Sequence, residues 1–403
     1  MDCLKKVGVA IPTYSRLSNT DDISKQHVSS ATPDSNTVEI IIPSNFPVVS
    51  NSQIEAVPME RFREEIAKEK PISFSPQQLE GFTNNYSVVL GSGGYGVVYK
   101  GEFPNGERIA VKVLNKNTTK KIDQQFMAEV STIGRTYHHN LVKLYGFCFD
   151  STITALVYEC MENGSLDKYL FGKEKVIEWE VLHKIAIGTA KGIAYLHEEC
   201  GEKLIHYDIK PDNVLLDAEF SPKVANFGMA KLCNRASTLV GRPECKGTPG
   251  YRAVELWRPC KPVTQQCDVY SFGMMLFEIV RRRRNSDVDL GETREVWPTT
   301  WMWEHMKNGK YGEMMESFGV DDGTREKAER MWVIAMWCVQ YLPEARPLMS
   351  SVVKMLEGGE HIIRAPPSSF EHLGAVTAVN LEGSNESIFE RSARYFSTGE
   401  TKV

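Results

Sequence analysis

Apolar positions change their spacing twice along this chain. Residues 1 to about 70 show no sustained periodicity and are rich in Ser, Thr, Asn, Pro and Asp. Such a stretch buries too little apolar surface to offset the entropy of ordering, so disorder is expected over 1–71. A short charged segment, Met59 to Lys70, has helical character before Pro71 stops it. In FSPQQLEGFTNNYS, Ser75 and Pro76 stand as a cap and a first helical residue. From Ser87 the pattern is that of short strands: SVVLGSG, VVYKGEF and RIAVKVL, with Pro104-Asn105-Gly106 marking a hairpin between the last two. KKIDQQFMAEVSTIGRTY then predicts an amphipathic helix with Phe126, Val130 and Ile133 on one side. LVKLYGFCF and TALVYEC predict two more strands.

After Ser165 helical spacing takes over. SLDKYLF is followed by WEVLHKIAIGTAKGIAYLHEE, whose apolar spacing suits a buried core helix. DVYSFGMMLFEIVRRRR, MWVIAMWCVQYL and PLMSSVVKMLEG predict three more helices. From about Gly358 polarity rises again, and Ala365-Pro366-Pro367-Ser368-Ser369 opens a tail, 359–403, expected to be disordered. The result is an α+β pattern: a small sheet with one helix, then a larger helical body.

A chain of 403 residues with 42% hydrophobic residues has material for a sizeable core. A net charge of -5 argues against bulk attraction to nucleic acid. Nine scattered cysteines without a C-x-x-C pair read as reduced thiols, not as a disulfide frame or zinc site. No apolar run reaches the ~18 to 20 residues a membrane helix needs. Cys3, before Lys5-Lys6, is either a free thiol on a loose tail or a palmitate acceptor, and one acyl chain anchors weakly. Arg281 to Arg284 reads as a basic helix end complementing the dipole, or as an import patch.

The candidate chemistry begins at Leu90-Gly91-Ser92-Gly93-Gly94-Tyr95-Gly96-Val97-Val98, a G-x-G-x-x-G-x-V between two strands. Glycines let backbone N–H groups approach phosphates. A Rossmann turn needs a helix next, whereas strand follows here; a plain Gly-rich hairpin is the alternative. Ile109-Ala110-Val111-Lys112 puts a lysine on the third strand, and Glu129 follows on the amphipathic helix at a spacing suited to an ion pair. Each alone would pass for an ordinary surface charge; together they point to a phosphate grip. Then LIHYDIKPDNVLLDAEFSPKVANFG holds His206-Tyr207-Asp208, Lys210, Asn213 and Asn226-Phe227-Gly228.

This ordered set resembles the protein kinases, with their H-R-D-L-x-x-x-N and D-F-G motifs. FSPQQLEGFTNNYS, HHNLVKLYGFC, LVYECMENGSLDKYLF, GIAYLHEEC and DVYSFGMMLFEIV, together with the Trp-rich VWPTTWMWEHM, are similar to plant receptor-like kinases, especially the leaf-rust-receptor-like group. The resemblance covers roughly residues 72–360. It implies a bilobal fold over 72–358, with an antiparallel-sheet N-lobe with one helix at about 84–160 and a larger helical C-lobe at about 164–358. It implies catalytic roles for Asp208, Lys210, Lys112 and Glu129. Leu90, Gly91, Ser92, Gly93, Gly94, Tyr95, Gly96, Val98, Ala110, Lys112, Met161 and Leu215 would bind ATP, with Tyr158 behind the adenine. Asn213 and Asn226 would hold the metal. Lys210 and Thr248 would mark serine/threonine specificity. His206 and Phe227 would pack, Glu255 would pair with Arg346, and Asp268 would brace the catalytic loop. Ser237, Thr238 and Thr248 would lie in the activation segment.

Two departures from the motif bear on the chemistry. Tyr207 replaces the arginine that docks an activation-loop phosphate, as in the non-RD kinases, a departure compatible with activity. Asn226 replaces the magnesium-holding Asp, leaving two neutral amides for a hard cation that favours anionic oxygen. The expectation is therefore a serine/threonine protein kinase acting in plant signalling or defence with its activity impaired at Asn226; the alternative is a pseudokinase acting as a nucleotide-binding scaffold. ATP is the expected cofactor, with weakened Mg2+ or with Mn2+, and ATP binding is expected to depend little on magnesium. Expected partners are a protein substrate or an upstream receptor kinase, with no nucleic acid. Those relatives usually carry an outer domain and a membrane helix, so a cytoplasmic member is expected, or one held at the inner face of the plasma membrane by partners or Cys3.

Overall fold

The computed structural model describes residues 71–94, 96–115, 119–172, 176–201, 203–232, 247–257, 263–285, 311–359 and 366. The expectations for residues 1–70, for nearly all of the 359–403 tail, and for Cys3, Tyr95, Ser237, Thr238 and the Trp-rich segment lie outside them.

The strands of the first lobe are β1 (Ile72–Ser73), β2 (Val89–Gly93), β3 (Gly96–Glu102), β4 (Arg108–Leu114), β5 (Leu144–Phe149) and β6 (Thr154–Glu159). They form one sheet in the order β1-β5-β6-β4-β3-β2. Gly106 makes the β3–β4 hairpin possible: it sits at φ 85° and donates to the Phe103 carbonyl at 2.9 Å. Alternation along β4 buries Ile109 and Val111 on one face and leaves Ala110 and Lys112 on the other. Register sets Lys112 opposite Val98 on one side and Leu156 on the other, so these three share that second face.

Among the described strands of this sheet, every pair but one is antiparallel. β1 runs parallel to β5, with Ile72 opposite Gly146 and Ser73 opposite Phe147. Helix α1 (Pro76–Phe82) follows at once, opened by a capping box in which Ser75 accepts from the Gln78 N–H and Gln78 accepts from the Ser75 N–H. It drives Leu79 and Phe82 into the sheet, where Phe74, Phe82, Phe103 and Tyr145 form an aromatic cluster with centroids 5.1 to 5.7 Å apart. Residues 72–82 thus pack against this sheet. Helix α2 (Thr119–Thr132) ends in a 3-10 turn at Ile133–Arg135, and Phe126, Val130 and Ile133 are all buried.

The second lobe is helical. After the short strand β7 (Gly164–Ser165) and helix α3 (Asp167–Phe171) comes α4 (Trp179–Ala194), with Ile185, Ala186, Ala190 and Ile193 fully enclosed. Helix α5 (Gln266–Arg281) is buried nearly all round, which marks it as the centre of the lobe rather than a surface element. Helices α6 (Tyr311–Ser317), α7 (Arg325–Cys338) and α8 (Met349–Glu357) follow among the described residues, and Phe277 of α5 meets Trp332 of α7 at 4.8 Å. The basic run at the end of α5 is partly used in packing: Arg282 donates to the Ile177 carbonyl at 2.8 Å and Arg284 lies over the Phe171 ring. Four small strands, β8 (Leu204–Ile205), β9 (Val214–Leu216), β10 (Pro222–Val224) and β11 (Lys231–Leu232), present the loops of the site. β9 pairs with β7 and β10, and β8 pairs with β11.

Candidate active site

Strand β4 and helix α2 supply the first contact. The Lys112 ammonium meets Glu129 Oε1 at 2.8 Å, with Glu129 itself buried. The other oxygen of Glu129 accepts from the Tyr158 hydroxyl, so α2 is tied to both β4 and β6. Lys112 also lies 3.5 Å from Asn226 Oδ1, at the outer limit of a hydrogen bond.

The loop between β8 and β9 supplies the second group. Asp268, at the start of α5 and fully buried, accepts from the backbone N–H groups of His206 and Tyr207 at 2.8 Å each and lies 3.0 Å from His197 Nε2. Two charge-assisted bonds of this kind hold Tyr207 at φ 66°, a left-handed conformation costly for a bulky side chain. His206 packs edge-on against Phe227 at 4.9 Å, and its Nε2 faces the Ala225 carbonyl at 2.9 Å. The backbone is thereby fixed on both sides of Asp208.

Asp208 is almost entirely enclosed. Its Oδ2 accepts from Asn213 Nδ2 at 2.8 Å and lies 3.4 Å from the Lys210 ammonium; its Oδ1 accepts from the Thr248 hydroxyl at 2.5 Å. Lys210 donates to the same Thr248 oxygen at 2.8 Å. From β10 the chain turns through Asn226 at φ 68°, and Asn226 Nδ2 donates to Asn213 Oδ1 at 3.1 Å. Asparagine tolerates this left-handed position better than most residues.

Hydrogen bonds therefore link Lys112, Glu129, Asn226, Asn213, Asp208 and Lys210 into one group. The apolar candidates sit on flanking elements: Leu90 exposed on β2, Val98 half-buried on β3, Ala110 half-buried on β4 and Leu215 half-buried on β9. Gly91, Ser92, Gly93 and Gly94 are exposed, Gly96 is buried against β4, and Met161 follows β6 with its carbonyl accepting from Gly164. Register sets Val98 beside Lys112. The metal set fits poorly. Asn213 and Asn226 are neutral, each of their oxygens already faces an N–H, and no group of three or more His, Cys, Asp or Glu gathers among the described residues.

Residues 85–356 match the family model of protein tyrosine and serine/threonine kinases. The chain belongs to that family. Among its relatives are the rust resistance kinase Lr10 of Triticum aestivum, 39% identical over 318 residues covering 77% of this chain and 49% of the relative. A G-type lectin S-receptor-like serine/threonine-protein kinase of Arabidopsis thaliana is 41% identical over 302 residues, 74% of this chain and 34% of the relative. A leaf rust 10 disease-resistance locus receptor-like protein kinase of the same plant is 38% identical over 298 residues, 73% of this chain and 48% of the relative. The chain spans about half or less of the length of these curated relatives.

Two features of this kinase domain escape a reading by motif. Thr248 bridges Asp208 and Lys210 across about forty residues of chain. Tyr251, three residues on, donates to Glu278 of α5 at 2.6 Å, and its carbonyl accepts from Ser271 at 2.8 Å. Nothing in local spacing announces either; the GTPGY motif was the available signal.

Proposed function

We propose that the chain is a serine/threonine protein kinase of plant signalling or defence that transfers the γ-phosphoryl group of ATP to protein hydroxyls, slowed by its amide at 226. The observation that carries this is the arrangement of Lys112, Asp208 and Lys210 along one hydrogen-bonded path. Lys112, oriented by Glu129, would bind the nucleotide phosphates. Asp208 would accept or orient the substrate hydroxyl proton, a role needing an acceptor held in place before substrate arrives. Lys210, 3.4 Å from that carboxylate, would face charge developing on the transferring group. Thr248, now on Asp208, stands where an incoming hydroxyl would compete for the same oxygen. Leu90, Val98, Ala110, Met161 and Leu215 would enclose the base, with Gly91 to Gly96 over the phosphates. The family uses ATP with magnesium; here the support from magnesium, or from Mn2+ in its place, would be weak.

A second reading, the nucleotide-binding scaffold without transfer, draws on one observation: Asn226 has no anionic oxygen to give. Autophosphorylation with radiolabelled ATP separates the two. Asn226→Asp should raise the rate by on the order of 100- to 1,000-fold, since one preorganised electrostatic contact is worth ~3 kcal/mol, and Asp208→Ala should abolish it. No incorporation by any of the three proteins leaves the scaffold. The partners proposed are a protein substrate or an upstream receptor kinase, and the location the cytoplasm, or the inner face of the plasma membrane through partners or Cys3. No helix among the described residues is long and apolar enough to cross a membrane.

A further inference from the structure

We infer that the amides of Asn213 and Asn226 make this cleft a receptor for a nucleoside triphosphate that carries no divalent cation. The inference rests on the nucleotide reading above and changes its ligand: not the metal complex, but the free anion.

The argument is one of donors and acceptors taken in order. Lys112 gives a hydrogen toward Asn226 Oδ1 at 3.5 Å, Asn226 Nδ2 gives one to Asn213 Oδ1 at 3.1 Å, and Asn213 Nδ2 gives one to Asp208 Oδ2 at 2.8 Å. All three point the same way, from ammonium to carboxylate. That direction is fixed by the charges at its two ends. Turning Asn226 over would set its NH2 against the Lys112 ammonium, and turning Asn213 over would set its oxygen against the Asp208 carboxylate. The remaining Asp208 oxygen takes the Thr248 hydroxyl at 2.5 Å. Each of these oxygens already accepts a hydrogen, so a cation would have to share it with that donor or displace the donor.

A carboxylate at 226 would behave in the opposite sense. It has no hydrogen for Asn213, so two acceptors would confront each other and a cation would relieve them. It would also add a negative charge beside the phosphates, which without a cation repels them. With the amide, Lys112 and Lys210 balance Glu129 and Asp208. Asn226 Nδ2 keeps a second hydrogen beyond the one given to Asn213, and Lys112 a third beyond those directed to Glu129 and Asn226. Those are donors for phosphate oxygen.

The test is calorimetric titration of ATP into the full chain, once in excess EDTA and once in excess magnesium chloride, for the wild type and for Asn226→Asp. The wild type should bind with dissociation constants within about threefold of each other in the two media, whereas the variant should bind at least about tenfold more weakly in EDTA than in magnesium. A thermal melt of both proteins without nucleotide checks that the variant folds; should it not, the wild type in the two media is still decisive. Tightening of wild-type binding by magnesium of tenfold or more would overturn the inference alone. A folded variant as indifferent to magnesium as the wild type would also overturn it, and no binding in either medium would overturn both it and the nucleotide reading.

Discussion

Glu278 holds its proton to an unusual pH because burial in α5 penalises the carboxylate, with Asp212 adding to the effect; the bonds from Tyr251 and Asn285 and the charge of Arg284 only partly oppose it, and the group is pushed up to about 7. Both of its oxygens accept, from the Tyr251 hydroxyl at 2.6 Å and the Asn285 N–H at 2.9 Å. Burial likewise pushes Tyr251 up, so it remains the donor. The folded state therefore binds a proton that the unfolded chain has released above its ordinary value of 4.5. Stability from this site is greatest below that value and declines as pH rises to about 7, by on the order of 3 kcal/mol. Glu278→Gln should flatten this slope, seen in melting temperatures measured from about pH 5 to 8. At the same scale, the Lys112–Glu129 pair was legible only from the motif set taken together, since either residue alone passes for a surface charge on its own strand or helix. The Tyr251–Glu278 bond was not, because two segments far apart in sequence have no shared period.

Strand β1 is two residues long and carries no alternation, which is why the sequence gives no sign of it. Its place on β5 depends on Gly146. A Cβ there would lie 2.2 Å from the Ile72 carbonyl oxygen and 2.6 Å from the Phe74 ring, too close for either to stay where it is. Gly146→Ala should displace β1, cost about 1 to 3 kcal/mol and speed amide exchange at Phe74, whose N–H donates to the Phe147 carbonyl at 2.8 Å. Exchange along β3 and β4 should not change. Helix α1, by contrast, was legible to its first residue. Ser75 and Pro76 state a helix start in local terms, and the Gln78 side chain closes the box within one turn.

At the scale of the whole molecule, Arg346 ties distant segments together. Its guanidinium meets both oxygens of Glu255 at 2.7 and 2.9 Å and donates to the carbonyls of Gln340 and Gln266 at 2.7 and 2.8 Å, with both charges enclosed. It thereby joins the 3-10 turn Val254–Trp257 to α5 and to the turn before α8. Arg346→Leu leaves Glu255 buried without its cation, and a loss of about 3 to 5 kcal/mol should appear in urea unfolding. Glu255→Gln, which keeps an acceptor and removes the charge, should cost less. By itself the sequence determined the two-part α+β order, the strands and helices whose period is local, and the residue types available for phosphate chemistry, because each of these is written within a few turns of chain. Only the tertiary structure decided which oxygen faces which hydrogen between Lys112 and Asp208, and that Thr248 lies across that carboxylate. Those contacts join segments from both lobes, and their direction depends on charges that meet only after the chain has closed.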